Sequence, residues 1–310
     1  MKQLFLLNPY AGYNLEKDSS HLLMLEAFRR GHSVFYGVLS RFFVNDGPKI
    51  FCSPVESVIP KSPYFHFKKE EAFSLDHFDQ IWMRQDPPWN LAYYYATLML
   101  SMAPPSVKIF NAPLSLRDFN EKMSILFFPD FIPASCVSAS LSILNDFRKK
   151  QPEGIVIKPL DSYAGKGVER ILPGDPEADK ILRKTTHEET LPVMAQRYLP
   201  AVQKGEKRVF LWKGQVLGTL LKIPPPNGFL TSPDLGGRLA KTTLTPAEMK
   251  LSQTVGGTLF KAGVWFGGID IIDGYLTEIN VTSPGLLWEL NELYGCAFEK
   301  QIMDDLEKAV

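Results

Sequence analysis

Three oxygen-bearing side chains stand close together late in the sequence: Asp270 in "GGIDIIDG", and Glu278 and Asn280 in "YLTEINVTSPG". The residues around them are apolar and β-prone, so both segments read as strands. A period of two puts Glu278 and Asn280 on one face. All three are hard ligands, and Mg²⁺ takes near-octahedral oxygen, usually from one or two carboxylates completed by phosphate oxygens and water. A single acid in a strand is most often a solvated outward residue. Three oxygen side chains on adjoining strands leave metal binding and plain solvation both open. The register adds a condition. A two-residue turn at Asp273-Gly274 would pair Asp270 with Thr277 and face it away from Glu278. A shared metal then requires an odd-length connection or a bulge, and a bulge is expected.

A second group of residues is cationic. "IVIKPLDSYAGKGVERI" places Lys158 at the end of a strand and a glycine-bearing loop after it. Backbone N–H groups in such a loop can wrap phosphate oxygens, because glycine permits close approach. The segment is not a P-loop: Gly165-Lys166 is followed by Gly167 rather than Ser or Thr, and a strand follows. An ordinary hairpin with a surface lysine is the competing reading. Lys122 in "NEKM" and Arg208 at a strand start in "GEKRVF" read, alone, as exposed charges. The five histidines are scattered, with no HExxH, and no GxSxG elbow occurs, so zinc and serine–histidine chemistry are poorly supported.

The elements that must position these residues can be traced in the pattern. "QLFLL", "SSHLLMLEAFRRG" and "HSVFYGV" read as strand, helix, strand, with Ser19 or Ser20 as helix cap and Gly31 as its stop. Such a βαβ opening predicts a parallel sheet. "AYYYATLMLSMA" reads as a buried helix, "VKIFNAP" as a strand and "SLRDFNEKMSILFF" as a capped helix carrying Lys122. After about residue 121 strands dominate: "GIVIKPL", "VERIL", "VMAQRYLP", "KRVFLWKG" and "QVLGTLLKIP". "PPPNGFLTSPDLGGRL" is a long loop without periodicity, and "TPAEMKLSQTVGGTLFKAG" a helix capped by Thr245 with Pro246 at its first position.

The composition bounds the reading. The chain has 310 residues, 45% hydrophobic and 12% aromatic, which suits a folded enzyme of two or three domains. Lys plus Arg and Asp plus Glu are 34 each, which argues against a nucleic-acid or membrane binder. Cys52, Cys136 and Cys296 form no CxxC pair, so a reducing cytoplasm is the expected location. "MKQLFLLNPY" reads as a first strand rather than a signal peptide, and no run reaches transmembrane length. The first βα turn lacks GxGxxG, which disfavours a dinucleotide oxidoreductase.

In this order along nearly the whole chain, "NPYAGYNLEKDSSHLLMLEAFRRGH", "MRQDPPW", "NAPLSLRDFNEK", "IVIKPLDSYAGKGVERI", "MAQRYLP", "GEKRVF", "LGGR" and "GIDIIDGYLTEINVTSP" resemble the bacterial glutathione synthetases, ATP-grasp carboxylate–amine ligases. The resemblance implies an α/β chain with an N-terminal Rossmann-like parallel-sheet domain (1–121), a central ATP-grasp lid domain (122–200) and a C-terminal ATP-grasp catalytic domain (201–310). It implies ATP as co-substrate, an acyl phosphate, and Asp270, Glu278 and Asn280 holding two Mg²⁺ ions. Lys122 and Lys158 match the nucleotide-holding lysines, and Arg208 the arginine near the terminal phosphate. Gln196, Tyr198 and Leu199 match the segment framing adenine. Loop 161–167, with Asp161, Gly165, Lys166 and Gly167, matches a lid that excludes water. The loop 225–238 matches a second lid ending at Gly237 and Arg238, and Lys222 stands where a basic residue is found. Arg84, Asp86, Ser283 and Pro284 fall on the substrate side, the last two as the expected cap and start of a helix.

The implied reaction joins γ-glutamylcysteine to glycine, with small-molecule partners, neither nucleic acid nor membrane, and a homo-oligomer. The chain departs from the family pattern at Gln85, Leu230 and Trp288, where lysine, arginine and arginine are usual, and in the lid stretch "SYAGKG". A ligase for another carboxylate and amine, or a nucleotide-binding regulator without turnover, are the alternatives these departures raise.

Overall fold

The computed structural model describes residues 1–10, 17–59 and 64–308. Part of the "NPYAGYNLEKD" motif, residues 11–16, lies outside the described residues. The chain runs β1 (Lys2–Leu6), α1 (Ser19–Arg29), β2 (Ser33–Val44), β3 (Pro48–Val58), β4 (Phe65–Phe67), β5 (Glu71–Ser74), β6 (Gln80–Met83), α2 (Leu91–Leu100), β7 (Lys108–Phe110) and α3 (Pro113–Asp118). β2, β1, β6 and β7 lie side by side, and the pairs are parallel. That is the parallel sheet the opening pattern predicts. β3 then folds back antiparallel on β2 after Asn45-Asp46-Gly47, because so short a connection cannot cross over to a parallel neighbour.

The cap of α1 is Asp18 rather than Ser19 or Ser20: its Oδ1 accepts the His21 N–H at 2.7 Å. Both serines are spent on joining distant segments. Ser20 Oγ accepts from Arg84 Nε at 3.0 Å, and Ser19 Oγ accepts the Leu287 N–H at 3.0 Å. The expected helix through Lys122 is also corrected. It stops at Asp118 and resumes only as a 3₁₀ turn over Met123–Phe127. Asn120 breaks it, its Oδ1 accepting the N–H groups of Lys122 and Met123 at 3.0 Å each. The expected burial of α2 holds for one face only: Tyr93, Ala96, Thr97 and Leu100 are buried, while Leu91, Tyr95 and Leu98 are exposed.

The central part contains β8 (Ser135–Ser138), α4 (Leu141–Lys149), β9 (Ile155–Pro159), β10 (Glu169–Ile171), α5 (Ala178–Thr185) and β11 (Val193–Arg197). Its antiparallel sheet, ordered β10-β9-β11-β8, packs its own core from Leu144, Ile155, Ile157, Leu182 and Val193. The last part contains β12 (Glu206–Trp212), β13 (Gln215–Ile223), β14 (Arg238–Lys241), α6 (Pro246–Lys261), β15 (Phe266–Ile272), β16 (Tyr275–Asn280), α7 (Leu287–Tyr294) and α8 (Phe298–Glu307). Its sheet is antiparallel throughout, ordered β14-β13-β12-β15-β16. The long loop ends where Arg238 opens β14. Just before it, a Cβ on Gly237 would meet the Thr231 carbonyl oxygen at 2.3 Å, so only glycine fits there.

α6 begins as expected. Thr245 Oγ1 accepts from Glu248, and the Glu248 carboxylate accepts the Thr245 N–H. The first and last sheets are bolted together by Asn111, buried and fully satisfied. Its Nδ2 donates to Phe266 O and Val281 O at 2.7 Å each, and its Oδ1 accepts from Trp265 and Phe266. Trp82, Phe110, Trp212 and Trp265 pack around this joint, with Trp82 stacked on Trp212 and the other pairs tilted or edge to face.

Candidate active site

β15 and β16 form a hairpin whose turn, Asp273-Gly274, has positive φ at both positions. Ile272 pairs with Tyr275 and Ile271 with Leu276, and the register then shifts, so that Asp270 stands opposite Glu278. Thr277 is the extra residue. The bulge a shared site requires is therefore present, and Asp270, Glu278 and Asn280 share one face. β12 continues the row, with Arg208 opposite Asp270, and β13 places Lys222 opposite Glu206.

The charges interlock. Arg208 grips Asp270 with two bonds, Nε to Oδ1 at 2.6 Å and Nη2 to Oδ2 at 2.9 Å. Lys222 Nζ lies 3.0 Å from Asp270 Oδ2 and 2.9 Å from Glu206 Oε2. Lys122 Nζ lies 3.2 Å from Glu278 Oε1 and donates to Ser162 O in the loop after β9. Lys158 Nζ donates to Gln196 Oε1 at 2.9 Å and Thr277 O at 3.1 Å. Glu121 Oε1 accepts from Thr282 Oγ1 at 2.7 Å, and its backbone oxygen accepts the Ile279 N–H, pinning edge strand β16.

The electrostatic consequences follow from burial and partners. Burial pushes the Asp270 carboxyl up, but Arg208 and Lys222 outweigh it and hold it well below the usual carboxylate range. Burial, with Glu278 nearby, pushes Glu121 up. Burial pulls the Lys158 ammonium down, against the opposing pull of Glu278 and Glu206.

This row forms the polar end of a cleft of about 440 Å³, within the size range of small-molecule sites. Part of the wall is apolar: Val156, Tyr198, Leu199, Val202 and Phe229, with the Tyr198 and Phe229 rings edge to face. The Arg170 guanidinium sits 5.2 Å from the Tyr198 ring centre and 5.1 Å from that of Phe229. The lining also carries Asp18, Asp86, Asp234, Ser283, Pro284 and Glu289. Two loops cover the mouth and touch. A Cβ on Gly165 would lie 3.2 Å from Leu235 Cδ1 and 3.6 Å from Leu230 Cδ1.

Most of the residues singled out from sequence meet here: Lys122, Lys158, Gly165, Gln196, Tyr198, Leu199, Arg208, Lys222, Asp270, Glu278, Asn280, Asp86, Ser283 and Pro284 all line the cleft. Others do not. Asp161 lines a side cavity of about 130 Å³ with Trp89 and Arg117. Lys166 and Gly167 lie outside both cavities, and Lys166 Nζ folds onto Tyr163 OH at 2.8 Å. Gly237 and the exposed Arg238 also lie outside the cleft, where the strand β14 carries the arginine away. Arg84 is buried behind the wall, donating to Ser20 Oγ and Pro284 O. Ser283 and Pro284 start no helix: α7 begins at Leu287, after Leu286 with φ of 79°.

Glu121, Glu206, Thr231 and Thr277 are cleft residues that the sequence reading missed. For Glu206 the signal exists, since it stands two residues before Arg208 on the same strand face. Glu121 gives none: it lies in an irregular stretch where no period applies.

The donor set fits a hard divalent cation that brings phosphate and water oxygens of its own. Asp270, held by Arg208 and Lys222, and Glu278, held by Lys122, are two carboxylates whose oxygens keep further lone pairs, and Asn280 adds a carboxamide whose buried Nδ2 has no hydrogen-bond partner, so its amide is not fully committed within the fold. Among the described residues no cluster of three or more His, Cys, Asp or Glu side chains forms a self-sufficient metal cage.

Comparison with known proteins matches residues 1–117 to the N-terminal domain of prokaryotic glutathione synthetase and residues 121–295 to its ATP-grasp domain. The chain is similar to the glutathione synthetase of Thermosynechococcus vestitus, 35% identical over 96% of this chain and 97% of that one. It is 33% identical to that of Vibrio cholerae, over 97% and 96% of the two chains. It is 36% identical to that of Parasynechococcus marenigrum, over the whole of both. Among solved structures, a D-cycloserine synthetase superposes with a TM-score of 0.69 at 15% identity, covering 98% and 99% of the two chains. A macrocyclase from Microcystis aeruginosa, solved with its precursor peptide, gives 0.67 at 15% identity, covering 99% and 100%. At such identity these two likenesses show the fold alone.

Proposed function

The chain belongs to the prokaryotic glutathione synthetase family, and from that premise we propose how its cleft joins a carboxylate to an amine. It is an ATP-dependent ligase forming a carbon–nitrogen bond, and its reaction is glutathione synthesis from γ-glutamylcysteine, glycine and ATP, with ADP and phosphate released. Enzymes of this fold use ATP and Mg²⁺.

The observation that carries the residue assignment is the meeting of Lys122, Lys158, Arg208 and Lys222 with Asp270, Glu278 and Asn280 in a cleft that also has an apolar wall. The apolar wall of Tyr198, Leu199 and Phe229 suits the base, with Gln196 at its edge. Lys122 and Lys158 then reach toward the phosphates from the two lobes, and Arg208 and Lys222 neutralise charge on the transferred group. Phosphoryl transfer gives a protein little covalent work, so these cations act by position and charge. Asp270, Glu278 and Asn280 would hold Mg²⁺, which supplies bridging and neutralisation of the phosphate oxygens.

Two ions belong to the same proposal: Lys122, Arg208 and Lys222 are already paired with carboxylates, so the roughly four negative charges of a nucleoside triphosphate call for further cations. The acidic residues of the lining outside this row, Asp86 and Glu289 among them, suit the ammonium group of an amino-acid-like substrate. The lid 161–167 and the loop 225–238 keep water from the acyl phosphate. The division at 1–121, 122–200 and 201–310, a cytoplasmic location and a homo-oligomer belong to the same proposal.

Leu230 favours one second reading. It lines the cleft and packs on Gly165, offering no guanidinium to a substrate carboxylate. A related carboxylate or amine is then the true substrate. Trp288 does not add to this, since it packs into the apolar cluster beside Leu287 and Leu290 rather than the cleft. Incubation with Mg-ATP and paired panels of carboxylates and amines, with products identified by mass, separates the two. Glutathione as the dominant product is expected. ADP release with γ-glutamylcysteine and glycine at background, and release with another pair, would establish the second reading.

A further inference from the structure

Glu121 stands where two cavities meet. The cleft and the side cavity share Pro87, Glu121, Ser162 and Thr282 in their linings, and of these only Glu121 carries a charge. Its carboxylate is fixed from one side. Oε1 accepts from Thr282 Oγ1 at 2.7 Å, and the backbone oxygen accepts the Ile279 N–H at 2.9 Å. The other oxygen, Oε2, takes no hydrogen bond among the described residues. Burial first, then the charge of Glu278, pushes this carboxyl up toward the range in which a general base works well.

The other acids of the cleft are committed or stand elsewhere. Asp270 gives its oxygens to Arg208 and Lys222. Glu206 gives its own to Lys222, Thr231 and Thr277. Glu278 is held by Lys122. Glu289 Oε2 is also unpartnered, but the charged neighbours of that residue are Lys17, Glu292 and Asp234, not the phosphate-binding row. Glu121 lies beside that row: Lys122, the next residue, pairs with Glu278.

We propose that Glu121 is the general base of the ligation, its Oε2 taking the proton that the ammonium group of the second substrate must lose before it can attack. An ammonium has no lone pair to offer. Once its proton has passed to Oε2, the amine lone pair forms the C–N bond at the acyl carbon. The C–O bond to phosphate then breaks, and its electron pair leaves with the phosphate. The second proton on nitrogen goes to that phosphate. The first leaves Glu121 through the side cavity. At about 130 Å³ this cavity has room for a short chain of water molecules, and Trp89 and Asp161 in its lining are exposed, so it reaches the surface. The proton can thus depart while the two loops stay closed over the cleft.

The inference rests on the acyl phosphate of the proposed function, and hydroxylamine tests the two separately. Hydroxylamine is uncharged at neutral pH and captures an acyl phosphate as a hydroxamate, so it needs no base. Wild type and Glu121→Gln are each given γ-glutamylcysteine, Mg-ATP and either glycine or hydroxylamine, and glutathione and hydroxamate are measured by mass. Glutamine keeps the size of the side chain and an oxygen for Thr282, and thermal unfolding checks the fold. Glycine turnover is expected to fall about 100-fold and hydroxylamine turnover to stay within about twofold. Glu121→Asp, whose carboxylate is withdrawn by one methylene, is expected to lose roughly tenfold with glycine and nothing with hydroxylamine, and it carries the comparison should the glutamine variant not fold.

Equal losses with both nucleophiles would overturn the base, since Glu121 would then serve phosphoryl transfer or the fold. The same split in Glu289→Gln and not in Glu121→Gln would overturn it too. A wild type that forms neither glutathione nor hydroxamate would overturn the ligase reading and the base with it.

Discussion

Asp270 and Glu278 face each other across two strands, yet they stand in different electrostatic positions. Both oxygens of Asp270 are taken by Arg208 and Lys222, and all three side chains are buried. Removing that charge leaves the buried Arg208 without a carboxylate and Lys222 with Glu206 alone, so Asp270→Asn should cost about 3–5 kcal/mol of stability as well as turnover. Glu278 is partly exposed and holds only Lys122, at 3.2 Å. Its partner Lys122 is buried but keeps its bond to Ser162 O, so Glu278→Gln should lower stability by about 1–3 kcal/mol, less than Asp270→Asn. Turnover of Glu278→Gln should fall roughly 100-fold or more, since it loses a charge aimed at the reacting phosphates. Denaturant unfolding and steady-state ADP release on both variants check this. A near-normal rate for Glu278→Gln would remove its assigned role. The sequence shows these residues because strand alternation and the required bulge can be reasoned from spacing. It does not show Glu121, whose place depends on Asn120 interrupting the backbone beside it.

The two loops over the cleft are individually visible in sequence as glycine-rich and proline-rich stretches, but their contact is not. It arises because Gly165, with φ of 78°, brings its backbone against Leu230 and Leu235 of the other loop. Apolar side chains here join the loops into one cover. Replacing both leucines by serine should loosen that cover and let water reach the acyl phosphate. ADP formed per glutathione should then rise several-fold from near one in the wild type, with little change in thermal stability. A ratio that stays near one would show that the loops close independently. α6 lies at the other extreme of legibility: Thr245, Pro246 and Glu248 stand in order along the chain, so cap and start are read directly. α7 is the contrary case. Ser283-Pro284 has the chemistry of a helix start, but Arg84 takes the Pro284 carbonyl and Leu287 turns to Ser19, so the helix begins later.

The molecule as a whole divides its labour between two bodies. The first and last sheets share a joint at Asn111 and a common apolar core, while the central sheet packs a core of its own. The cleft lies where these bodies meet, and Lys158 crosses it to reach Thr277. That arrangement was legible only through the order of motifs along the chain, because contacts between separate sheets leave no local period. It also explains why an ATP-driven ligation suits this fold: nucleotide, carboxylate and amine can be enclosed from both sides. The direct test follows a labelled oxygen. γ-Glutamylcysteine carrying ¹⁸O in both oxygens of its cysteinyl carboxylate is turned over with Mg-ATP and glycine, and the released phosphate is examined by mass. An acyl phosphate predicts one ¹⁸O atom in each phosphate, with Glu278→Gln slowing its appearance. Glutathione formed with unlabelled phosphate would contradict the mechanism assigned to this cleft.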